Sequence, residues 1–97
     1  MGVRFNREYP EILADLSAIL TQLPASAEFV EMDQADWLNL SPKTRKEMAE
    51  TIADDLFFAL GDEPTITFGE LTVQYDSNLH RIFIHSSNGE THIVKLV

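Results

Sequence analysis

Along the first quarter of the chain, Ile12, Leu13, Leu16, Ile19, Leu20 and Leu23 recur at intervals of three and four, with Glu11, Asp15 and Gln22 off the stripe. That spacing gathers the apolar side chains on one side of a helix, so it predicts an amphipathic helix over residues 9–23. Pro10 suits the first turn, where a missing N–H is harmless, and Pro24 helps to end the helix. The next stretch, "ASAEFVEMDQADWLNL", interleaves acidic and apolar residues without a period. It predicts a loop with a short strand over residues 29–32 and a helical turn around Trp37.

Order returns at Ser41-Pro42, an N-cap followed by proline at the first helical position, and Gly61 supplies a stop, which together predict a helix over residues 42–60. Met48, Ala49, Ile52, Ala53, Leu56 and Leu60 form its apolar stripe, flanked by Phe57. Phe58 falls roughly 160° from the middle of that stripe, on the side of Glu47, Thr51, Asp54 and Asp55. The charges run against the helix dipole, with Lys43, Arg45 and Lys46 at the start and Asp54 and Asp55 near the end. Such placement costs a few tenths of a kcal/mol per charge, up to about 1.

The final third alternates with a period of two. Ile66 and Phe68 take even positions while Leu71, Val73 and Tyr75 take odd ones, so one long strand with a bulge at Gly69 would accommodate both sets. "YDSNLH" gives the next reversal and Asn88-Gly89 the last. The expected architecture is a single α+β domain over residues 1–97, with two amphipathic helices packed on one face of a three-stranded antiparallel sheet. The 29–32 segment would make it four-stranded, in the order α-(β)-α-β-β-β.

A two-residue turn at Asn88-Gly89 sets His85 opposite His92, Ile84 opposite Ile93 and Phe83 opposite Val94. A reversal about Ser77-Asn78 sets Val73 opposite Ile82 and Leu71 opposite Ile84. One face then holds Leu71, Val73, Tyr75, Ile82, Ile84 and Ile93, a floor for the helices. The other holds Thr72, Gln74, Arg81, Phe83, His85, His92, Val94 and Leu96. Apolar residues in that second band call for a cover: a helix, the 29–32 segment, a second copy of the chain or a different protein.

Charge narrows the choice of partner. Seven basic residues against sixteen acidic give a net charge of −9, a field that repels a nucleic-acid backbone and favours a basic protein partner. There is no cysteine, and no apolar run suits a membrane span or a signal peptide, so the cytoplasm is the expected compartment.

Candidate chemistry is sparse. His85 and His92 as cross-strand neighbours, with Glu70 opposite His85 on the other neighbouring strand, are the one arrangement resembling metal ligands, and the expectation is that they hold none. Asp54-Asp55 diverge around a helix, no serine lies in a strained elbow, and the isolated glycines build no phosphate cradle. The expectation is therefore a non-enzymatic interaction or regulatory module without cofactor. It would act on a protein partner or on itself through Trp37, Phe58, Arg81, Phe83, His85, His92 and Val94. The alternative is an acidic antagonist imitating nucleic acid, because residues 8–36 carry seven acids and no base, and a third reading is a metal-binding protein using the cross-strand pair of His85 and His92.

Overall fold

In the structure, a computed structural model that describes residues 2–97, the helical pattern folds as its spacing predicts. Helix α1 spans Tyr9–Gln22 and buries Ile12, Leu16 and Leu20. Helix α3 spans Pro42–Ala59 and buries Ala49, Ile52, Ala53 and Leu56. Its start is fixed by Ser41, whose Oγ accepts the Thr44 N–H at 3.2 Å, satisfying a donor the first turn leaves free.

Between them the chain forms a 3₁₀ helix, Pro24–Val30, and a short helix α2, Gln34–Asn39. The strand expected over residues 29–32 is not there. Local bonds claim backbone groups a ladder would need: the Glu31 N–H donates to the Glu28 carbonyl at 3.2 Å, and the Met32 N–H reaches back to the Ala27 carbonyl at 2.9 Å. Glu31 makes the turn in the left-handed region, at φ 54°.

Four antiparallel strands follow in sequential order: β1 Thr65–Phe68, β2 Leu71–Asp76, β3 Arg81–Ser86 and β4 Thr91–Lys95. The fourth strand arises where one long strand was expected. Gly69 (φ +55°) and Glu70 form a two-residue turn, so Phe68 faces Leu71 and Ile66 faces Val73. A two-residue loop pairs even with odd positions, and both apolar sets therefore share one face without a bulge.

The two remaining registers also depart from expectation, with different consequences. Residues 77–80 turn between β2 and β3, held by the Asp76 carboxylate, which accepts the N–H groups of Asn78 and Leu79 at 2.9 and 3.0 Å. Val73 pairs with Ile84 and Tyr75 with Ile82, a slip of two that leaves every side chain on its expected face. Between β3 and β4 the loop has three residues, 87–89. The Gly89 N–H donates to the Ser86 carbonyl at 3.0 Å, and the Ser86 N–H to the Glu90 carbonyl at 2.9 Å. Gly89, at φ +92°, takes the position that such a loop requires beyond its first turn.

That slip of one exchanges the faces of β4. Phe83 stands opposite Ile93, Ile84 opposite His92 and His85 opposite Thr91. Val94 and Leu96 are buried, while Ile93 is 47% exposed. The helices cover the inner face, closing a core of Ile12, Leu16, Ile52 and Leu56 over Val73, Ile82 and Ile84. The N-terminal segment runs back along β4, with the Asn6 and Arg7 N–H groups both on the Leu96 carbonyl at 2.8 and 3.1 Å. This path carries Phe5 to the end of the helical layer where α1 starts and α3 finishes.

Candidate functional site

The structure disperses the residues that the sequence suggests. Trp37 and Val94 lie in the core, at 0% and 1% exposure, rather than on a contact surface. His85 and His92 are on opposite faces of the sheet, so the cross-strand imidazole pair does not form. The His85 ring stacks on Phe83 at 6.0 Å and 9°, and its Nδ1 lies 3.1 Å from the Thr91 hydroxyl. His92 belongs to the inner face, with Nε2 3.4 Å from the Glu90 carboxylate. Glu70, expected opposite His85, is in the first hairpin turn, and Thr72 takes that place. Among the described residues no three His, Asp or Glu side chains converge as metal ligands.

The outer sheet face is consequently more polar than the expected register makes it. Thr65, Thr67, Thr72 and Gln74 cover β1 and β2, and apolar surface is confined to Phe83 and Ile93. Arg81 sits between Asp76 and Lys95 on the neighbouring strands. Loss of Val94 and Leu96 to the core resolves most of the problem of what covers this face.

At the far end of the helical layer the picture is the reverse. Phe58 projects from α3 at 82% exposure, as its helical phase predicts. Phe5, Tyr9 and Phe57 pack beside it. Phe57 meets Phe5 at 5.4 Å and 80° and Tyr9 at 4.9 Å and 73°, both edge to face, while Phe5 and Tyr9 stand 6.0 Å apart. The Tyr9 hydroxyl donates to the Asp54 carboxylate. Burial of the phenol, together with that bond and the Asp54 charge, pushes the Tyr9 pKa up to about 12, so at neutral pH it remains a donor. These four rings, with Asp54 and Asp55, line a cleft of about 490 Å³.

Electrostatics distinguish this cleft further. Among the described residues no cation pairs with Asp54 or Asp55. Lys46 is eight residues back along α3, about 12 Å by helical rise, beyond the screening length of about 8 Å at physiological salt. Arg7 is engaged by Asp15 at 2.9 Å. The two carboxylates also lie toward the carbonyl end of the helix, which has no basic residue in its last turn, so dipole and side chains add in one direction.

Sequence reasoning found Phe58 and missed Phe5, Tyr9 and Phe57 as its neighbours. The available signal was topological: two helices packed antiparallel bring the start of one beside the end of the other. Two other features compete less well. A groove of about 630 Å³ between α1 and α3, floored by Leu13, Ala14 and Ala18 and rimmed by Lys46 and Glu50, has no large exposed anchor. Glu28, Glu31, Asp33 and Asp36 are all exposed, but the Glu28 carboxylate folds over Gly69. Compared with protein-family models, with curated proteins and with solved structures, the chain matches none.

Proposed function

We propose that this chain is a small interaction module that engages a basic protein partner through the aromatic and acidic surface of Phe5, Tyr9, Asp54, Asp55, Phe57 and Phe58. The observation that carries the reading is Phe58, a full aromatic ring left 82% exposed on the edge of a cleft, beside two carboxylates that pair with no cation among the described residues. Exposed aromatics ringed by polar groups are the kind of anchor that dominates binding energy at protein interfaces. The net charge of −9 steers a cationic partner toward such a site and speeds its encounter. Phe83 and Ile93 on the outer sheet face form a smaller, less charged patch, which would suit self-association.

The test is recovery of bound proteins from native cells with the wild type, Phe58→Ser and Phe83→Ser. A partner retained by wild type and Phe83→Ser, lost with Phe58→Ser and released by raised salt is the expected result. Retention by Phe58→Ser with loss on Phe83→Ser would move the interface to the sheet.

A further inference from the structure

The composition of the helix-end cleft is more specific than a generic contact patch. Its walls are four aromatic rings and its charged groups are two carboxylates, with no base among the residues that line it. Aromatic faces carry negative quadrupole density and attract cations. Carboxylates do the same by charge, and here they are already oriented, since the Tyr9 hydroxyl holds one oxygen of Asp54 and leaves the rest of the pair free. Phe5 and Tyr9 both pack edge to face on Phe57, whereas Phe58 is 82% exposed. One wall of the cleft is therefore rigid and the other open.

We infer that this cleft is a receptor for an arginine side chain presented by a protein segment, with the guanidinium stacked on Phe58 and forked onto Asp55. This deepens the interaction reading given above and rests on it. Arginine fits better than lysine for physical reasons. A planar, weakly hydrated guanidinium can lie flat on an exposed ring and donate two parallel N–H bonds to one carboxylate, whereas a compact ammonium keeps its water and cannot do both. An apolar side chain of the partner would leave Asp55 desolvated without a partner, and Asp54 with the Tyr9 hydroxyl alone, at a cost that a cation avoids. On the same surface of a second copy of this chain Arg7 is already held by Asp15 at 2.9 Å and the α3 cations lie at the other end of the helix, which leaves Arg4 as the one arginine of this end that a copy could offer.

The experiment uses the isotope-labelled full chain and three small probes: acetyl-arginine amide, acetyl-lysine amide and acetyl-citrulline amide, the last a neutral analogue of nearly the same shape as arginine. Arginine is expected to shift the amide resonances of residues 54–58 and Tyr9 saturably, with a Kd on the order of millimolar, and citrulline to leave them unmoved. Lysine should bind more weakly. Phe58→Leu, which keeps an apolar side chain without a ring, and Asp55→Asn, which keeps the shape without the charge, should each weaken arginine about two- to fivefold. Both positions are exposed, so unchanged spectra elsewhere will show that the fold persists.

Equal responses to arginine and citrulline, equal binding of lysine, or shifts centred on Glu28, Glu31, Asp33 and Asp36 would each overturn the assignment. Failure here is distinguishable from failure of the interaction reading. If arginine gives no response while a cellular partner still depends on Phe58, the guanidinium assignment falls alone. If no partner depends on Phe58, both fall.

Discussion

Trp37 and Phe58 are both large aromatics set among acids and polar residues in the sequence, yet one is fully buried and the other is 82% exposed. Local composition does not separate them, since Asp33, Gln34, Asp36 and Asn39 surround the first and Asp54 and Asp55 precede the second. Helical phase does. Phe58 sits in an eighteen-residue helix with a long apolar stripe, so its angle from that stripe decides its exposure. Trp37 sits in a six-residue helix, too short for a stripe to define a direction, and its burial follows from where that helix docks. An exposed aromatic is informative only when the phase of a long element excludes burial.

The sharpest way to break this contrast is to truncate each ring. Trp37→Ala is expected to cost about 3–5 kcal/mol, because a fully buried indole leaves a cavity that the surrounding helices cannot fill. For a domain of this size that is a large share of the total stability, so the midpoint of chemical denaturation should fall steeply. Trp37→Phe should cost less, since the Trp37 Nε1 finds no acceptor among the described residues and its removal forfeits no hydrogen bond to them.

The same logic of phase applies to β4, at somewhat smaller cost. Val94→Ser should destabilise by about 2–3 kcal/mol, losing buried methyl groups and burying a hydroxyl, while the neighbouring Ile93→Ser should cost less than about 1. Equilibrium unfolding of the two variants reads the register directly. The reverse order would mean that the two-residue turn, with Ile93 inward, is the correct pairing.

That pairing marks the limit of what the chain's pattern discloses. The two long helices, the antiparallel sheet on one side of them and the solvent-facing Phe58 follow from periodicity alone. The strand register does not, because Ser87-Asn88-Gly89 can close a hairpin as a two-residue or a three-residue loop, and the choice exchanges Ile93 for Val94. Both are β-branched and apolar, so neither face objects. The split at Gly69 was equally hidden, since a bulge and a turn both reconcile Phe68 with Leu71. The aromatic cleft was invisible for another reason. Phe5 and Phe57 are fifty-two positions apart, and only the path of the N-terminal segment along β4 brings them together.

Within the Phe58 region, Tyr9 offers a smaller and pH-dependent effect. Its pKa is raised from the ordinary 10.0 to about 12, so the folded state holds the proton more tightly than the unfolded chain. Stability from this source is fully present below pH 10 and is lost as pH rises toward 12. The phenol is only partly buried, and solvent screening keeps the contribution modest. Absorbance titration should show one tyrosine ionising late, and Tyr9→Phe should remove that late step. Asp54→Asn should bring it to lower pH without abolishing it, because burial is the larger cause and the hydrogen bond and charge the lesser ones.

The smallest stability effect is predicted for the residue with the largest proposed role. Phe58→Ser removes a ring that touches little, so equilibrium unfolding should change by no more than about 0.5 kcal/mol in either direction. A slight gain is physically reasonable, as an exposed apolar ring contributes little to the folded state and a serine improves solubility there. Residues kept for packing show their cost in unfolding experiments, whereas those kept for contact show it only when the partner is present. A loss of more than about 2 kcal/mol on Phe58→Ser would place the ring in the Trp37 class, covered by some part of this chain, and the surface at the end of α3 would no longer be open to anything else.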